Sequence, residues 1–172
     1  AHSVIVGTML GRVEGRPLTT GGLRAGDLVG MTRSAGLEGT AILLAEHGDR
    51  LRSLPGFPTG SAVGLGEGGE LSVVPEALAA AACPQVSALH DVTEGGVGAA
   101  LHEMAAASGL VIEVSREAIP VLPSTAAVCE ALGLDPLGLL GSGSLIVGCA
   151  AGGAGEVEAA LAGLGVPLCW IG

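Results

Sequence analysis

The chain has no lysine. All seven of its cations are arginines, set against 17 aspartates and glutamates, for a net charge of −10. It therefore cannot itself supply the lysine of a phosphate-binding P-loop or a Schiff-base lysine. The acidic excess excludes a nucleic-acid surface, which needs clustered cations. Tyrosine is also absent, and the only aromatic residues are Phe57 and Trp170, so the core must be built from Leu, Val, Ile and Ala. The four cysteines (Cys83, Cys129, Cys149, Cys169) form no C-x-x-C pair and are not joined in sequence by His2, His47, His90 or His102, which argues against a zinc site. They read as buried free thiols, and their sparing use suggests a cytoplasmic setting. No run approaches the roughly 18 apolar residues of a membrane span, and no basic segment opens a signal peptide.

What is present is apolar and rich in glycine. At 172 residues, 49% of them apolar, the chain is long enough to bury one core. Its 31 glycines imply several glycine-rich loops. Strand patterns cover residues 3–10, 28–32, 86–89, 110–114, 145–149 and 166–171. Helical patterns begin at Gly36, with Gly48 as the expected stop, at Val74, after residue 96 with Gly109 as the stop, at Ser124 as a cap, and across Val157, Ala160, Leu161 and Leu164. His102 and Glu103 fall on the solvent face of their helix. Residues 51–69 carry little pattern. The order predicts an α+β fold, a mixed β-sheet packed with helices around a ferredoxin-like core.

The chemistry concentrates at His90-Asp91-Val92-Thr93-Glu94-Gly95-Gly96, where a strand pattern meets a helical one. Backbone N–H groups and the positive end of a helix dipole converge at such a join, so an anion is favoured there. Thr93 is placed to cap the helix, and Gly95 and Gly96 permit a phosphate or carboxylate to approach the backbone. Asp91 and Glu94 are candidate Mg²⁺ contacts. His90 could donate to an anion or move a proton. An ordinary capped turn explains the same residues. Gly36, Glu38, Gly39 and Thr40 open a second helix of the same kind, and Glu38 there can simply complement the dipole. The run Gly141-Ser142-Gly143-Ser144 lacks the last glycine of a nucleophile elbow, and no dinucleotide fingerprint follows the first strand pattern.

Three collinear stretches carry a family resemblance: RAGDLVGMTRSAGLEGTAILLAE (24–46), HDVTEGGVGAALHEMA (90–105) and LGLDPLGLLGSGSLIVGCA (132–150). Together they resemble the C-terminal domain of the aminoimidazole ribonucleotide (AIR) synthase superfamily, nearest to its AIR-synthase-related and hydrogenase-maturation E-type members. The motif at 90–96 differs from those typical of selenophosphate synthetase and thiamine monophosphate kinase. The resemblance implies half of a two-domain, usually dimeric, ATP- and Mg²⁺-dependent enzyme acting on a small molecule. Residues 1–14 would be a strand or linker from a preceding ATP-binding domain, and 15–172 the C-terminal domain. The reaction would be ATP-driven activation of a carbonyl or amide oxygen, or phosphoryl transfer to a small acceptor, and this chain alone would be inactive. By position, His90, Asp91, Thr93, Glu94, Gly95 and Gly96 would face the phosphate and acceptor side of a cleft. Gly36, Glu38, Gly39 and Thr40 would lie beside them, with Ser142 and Gly143 as a third contact. The competing expectation is a non-catalytic module that binds a small anion or a protein partner.

Overall fold

The computed structural model describes residues 6–8, 10–13, 15–54, 57 and 71–172. Along them run β1 (Asp27–Thr32), α1 (Leu37–Arg52), α2 (Val74–Ala81), β2 (Val86–Val92), α3 (Gly96–Ser108), α4 (Pro123–Leu132), β3 (Ser144–Ala150), α5 (Ala154–Ala162) and β4 (Leu168–Trp170). The strands form one sheet in the order β2-β3-β1-β4, and each ladder is antiparallel. That is the strand order of a ferredoxin-like core, with α3 and α4 inserted where a hairpin would join β2 to β3. The α+β expectation holds, although no parallel pair mixes into the described sheet.

Alternation along β3 divides the core. Ile146 faces a cluster with Val29, Met31, Ala88, Val92 and, from α3, Val97, Ala100 and Met104. Leu145, Val147 and Cys149 face the opposite way, onto Val157 and Leu161 of α5 and Ala80 of α2. Successive strand residues point to opposite faces, so a strand covered on both sides is apolar throughout, and β3 is buried from Ser144 to Cys149. A third cluster joins Leu44 and Leu51 of α1 to Val128 of α4 at one end of the sheet. Each fully buried aliphatic side chain contributes about 1.5–3 kcal/mol, which lets a nearly aromatic-free chain fold.

Several local expectations differ from the structure. Residues 110–114 alternate like a strand but join no ladder; the neighbouring Ser115 N–H donates to the Ile171 carbonyl at 2.7 Å. Gly48 does not stop α1, which continues to Arg52. It is buried in mid-helix, and an added Cβ would sit 2.7 Å from the Arg52 guanidinium. Ser124 is not the cap of α4: Leu122 is, with Pro123 in the first turn, where its missing N–H does no harm. Val6–Thr8 and Leu10, part of the strand pattern at 3–10, are irregular, and Val6 and Leu10 are exposed. The rest of that pattern, and most of 51–69, lie outside the described residues.

Candidate functional site

β1 and β2 run antiparallel to β3, so the C-terminal ends of the first two and the N-terminal start of the third share one end of the sheet. All three motif stretches meet there. The Ser144 hydroxyl donates to the Ser34 carbonyl at 2.8 Å, and the Leu145 N–H donates to the Thr32 hydroxyl at 3.0 Å.

The segment between α4 and β3 is the brace between the two helix starts. Asp135 opens it by accepting from the Leu137 N–H at 3.0 Å, ahead of a single 3-10 turn over Pro136–Gly138. The Arg116 guanidinium donates to the same carboxylate at 2.7 Å, and these two bonds hold Asp135 below the usual carboxylate range. Beyond the turn, the Leu140 carbonyl accepts from the Gly39 N–H at 2.8 Å and the Gly141 N–H donates to the Thr93 carbonyl at 3.3 Å.

The two glycine-opened helices therefore differ. At α1, Gly36 adopts a left-handed φ of 69°, and Gly36, Gly39 and Thr40 are all buried. Leu139 fills the space where side chains on Gly36 and Gly39 would project. The Thr40 hydroxyl donates to the Gly36 carbonyl at 2.7 Å and shares a 2.9 Å hydrogen bond with the Thr125 hydroxyl. Only Glu38 of this set keeps partial exposure. The Gly39 N–H and the Thr40 N–H and hydroxyl are thus engaged within the fold, although no side chain caps this helix either.

At α3 the start is open. The expected Thr93 cap is not made: the cap position is Gly95, left-handed at φ 77°, and no side chain caps the helix. It is the Thr93 backbone that acts, its carbonyl accepting from Gly96 at 3.1 Å as well as from Gly141. Gly96 is also left-handed, at φ 65°, and an added Cβ would lie 2.5 Å from the Leu137 and Leu139 carbonyl oxygens. Gly96 is therefore required by the packing of the brace. Asp91, Glu94, Gly95 and Gly98 remain exposed, while Ser142 is half-buried and Gly143 buried in the turn entering β3.

His90 lies on the α3 side of β2, with its side chain only 15% exposed. Its Nε2 is 2.8 Å from the Glu103 carboxylate, and its Nδ1 is 3.7 Å from Asp91. Glu103 is therefore more than a solvated helix residue. The pairing follows from geometry. From Gly96 to Glu103 the helix advances roughly 10 Å, and from Val92 back to His90 the strand spans roughly 7 Å. A helix folded back over its strand thus brings its second turn above His90, a signal the spacing held but which needed the turn geometry to be read. A second pair, also not legible beforehand, lies beyond the end of β1. Arg33 has a left-handed φ of 56° and stands 2.9 Å from the fully buried Glu76 carboxylate of α2.

The donor set does not build a metal centre by itself. Among the described residues no three His, Cys, Asp or Glu side chains group as metal ligands. Asp91 and Glu94 are two exposed carboxylates, and no third ligand joins them among the described residues. Nor is any described helix long and apolar enough to cross a membrane.

An antiparallel four-stranded sheet with the starts of α1 and α3 at one glycine-rich end defines the class. Residues 24–172 match the family described as AIR synthase related protein, C-terminal domain, and the chain belongs to that family. Within it the chain is similar to hydrogenase-maturation proteins. It is 34% identical over 133 residues to the carbamoyl dehydratase HypE of Rhodobacter capsulatus, covering 77% of this chain and 36% of that protein. The crystal structure of Escherichia coli HypE superposes with a TM-score of 0.73 at 35% identity, over 90% of this chain and 45% of that one. A HypE crystallised in complex with ATP gives 0.63 at 28% identity, over 90% and 44%. The chain thus spans less than half the length of these relatives.

Proposed function

We infer that this chain forms the C-terminal half of an ATP-dependent AIR-synthase-related enzyme, with the start of α3 as one wall of its cleft. The observation that carries the reading is the meeting of three separate stretches at one end of the sheet, where neither glycine-opened helix has a side-chain cap and the α3 start is the exposed one. A HypE that binds ATP supports it. An N-terminal half would supply most nucleotide and Mg²⁺ contacts, in keeping with a chain that has no lysine and offers two exposed carboxylates, and a homodimer is part of the same proposal.

Of the two reaction classes, activation of an amide oxygen is favoured, because the relatives are carbamoyl dehydratases. In such a dehydration the carbamoyl oxygen would take the γ-phosphoryl group of ATP as ADP leaves, and would then depart as phosphate while the carbamoyl nitrogen gives up its protons and a nitrile forms. The part of this chain is positioning and charge neutralisation. N–H groups at the uncapped α3 start face the anionic phosphates. His90, fixed by Glu103 and flanked by Asp91, presents an oriented imidazole at the same edge, and Glu94 and Asp91 line the open side as polar contacts to the acceptor. Gly36, Gly39 and Thr40 act one step back, holding the brace, with Glu38, Ser142 and Gly143 at its margin.

ATP turnover by the chain joined to its N-terminal half, with a carbamoyl-bearing acceptor, tests the reading. Asp91→Asn and Glu94→Gln change exposed side chains and leave the fold intact, so each is expected to lower turnover at least about tenfold. Wild-type turnover in both variants would leave residues 90–96 as a structural turn, and an absence of acceptor-dependent turnover in the joined protein would favour the non-catalytic module.

A further inference from the structure

We propose a second anion site, at the end of the sheet opposite α3, that takes the phosphate group of a small metabolite. A hollow of about 340 Å³ lies there between the start of β1, the start of β2 and the end of β3, lined among others by Arg16, Arg24, Gln85 and Ser87. That volume is within the range of small-ligand sites. Six strand residues at about 3.3 Å each place it roughly 20 Å from the α3 start.

Its charges are arranged for an anion. One guanidinium nitrogen of Arg16 donates to the Val86 carbonyl at 2.6 Å, which anchors the side chain and leaves its other N–H groups available. The Arg24 guanidinium makes no hydrogen bond or ion pair among the described residues. The single carboxylate of the lining, Asp27, is already engaged. One of its oxygens accepts from the Arg24 backbone N–H at 2.9 Å and from the Ser87 hydroxyl at 2.6 Å. The turn joining Arg24 to Asp27 has Gly26 at φ 89° and is closed by the Asp27 N–H to the Arg24 carbonyl at 3.0 Å, which fixes where Arg24 leaves the backbone. Two of the chain's seven cations thus converge on one hollow in a molecule of net charge −10. Guanidinium forks match phosphate oxygens. A phosphate, with charge near −2 and three acceptor oxygens, can satisfy two arginines arriving from different segments, which a single carboxylate does less well.

Calorimetric titration of inorganic phosphate into the protein at low ionic strength tests the site, with acetate as the single-carboxylate comparison. One saturable event is expected. Arg24→Gln, which disturbs no internal contact, should weaken it at least about tenfold, and Gly98→Asp, which puts a carboxylate at the exposed α3 start, should leave it unchanged. Phosphate binding that persists in Arg24→Gln with a native circular dichroism spectrum would overturn the proposal. So would loss in Gly98→Asp alone, which would put the anion at the α3 end, or tighter binding of acetate than of phosphate.

Discussion

Replacing Gly96 by alanine should destabilise the fold by about 3 kcal/mol. Two contributions lead there. An L-residue held in the left-handed region costs about 1–2 kcal/mol, and Gly96 sits at φ 65°. Its new Cβ would also press on two backbone carbonyl oxygens of the brace at 2.5 Å, atoms that cannot rotate away, and such overpacking costs about 1–3 kcal/mol. Gly98, two residues on, is the internal control. It is exposed, its φ is unremarkable, and an added Cβ would meet only the Leu137 carbonyl oxygen, at an ordinary 3.5 Å. Alanine there should stabilise by about 0.5 kcal/mol through lost chain entropy. Urea unfolding of the two variants beside the wild type reads both numbers, and in thermal melts the Gly96 variant should fall by about 6–12 °C for a chain of this size. A Gly96→Ala protein as stable as the wild type would show that the brace does not clamp the α3 start, and the structural account of the site would fail.

Other outcomes follow from the buried and paired groups. Glu76→Ala removes a fully buried partner of the partly exposed Arg33 and should cost about 1–3 kcal/mol, read as a lower urea midpoint. Burial raises the thiol pKa of Cys83, Cys129 and Cys149, while Cys169 is only partly buried. Iodoacetamide at mildly alkaline pH should therefore label Cys169 first, and equal labelling of all four by mass spectrometry would contradict the packing of the core. Asp135 is held below its ordinary value by Arg116 and the Leu137 N–H. Its contribution is therefore fully present above the unfolded carboxylate pKa and is lost as pH falls through the lower folded value. Acid titration of stability should show a shallower decline in Asp135→Asn than in the wild type, and superimposable curves would mean that the pair contributes nothing.

The glycine-rich ends of the three stretches were legible because backbone demands leave a mark in sequence: Gly95 and Gly109 are left-handed at helix ends, and Asp135-Pro136 opens a 3-10 turn. Side-chain caps were less legible. Thr93 and Ser124 have the right chemistry, but left-handed Gly95 caps α3 and Leu122, just ahead of Pro123, caps α4. The alternation at 110–114 is real, yet pairing depends on which edge lies nearby, and only Ser115 finds the Ile171 carbonyl. The contacts that distinguish the two helix starts come from Leu139 and Leu140, two apolar residues with no site signature. Their role arises only when α4 and β3 place them between α1 and α3. The Arg33–Glu76 pair spans 43 residues and a buried acid inside an alanine-rich helix, which no periodicity announces.

The open start of α3 can be tested apart from stability by Gly98→Asp. The position is exposed and has room for a side chain, and a carboxylate in the first turn of a helix favours the helix, so folding should be unaffected or improved. The same carboxylate would stand where the phosphates of ATP are proposed to meet the helix N-terminus. Titration of Mg-ATP into the chain joined to its N-terminal half should show affinity reduced at least about tenfold in Gly98→Asp, with an unfolding midpoint no lower than that of the wild type. Undiminished ATP affinity in that variant would contradict the assignment of the α3 start as a wall of the nucleotide cleft.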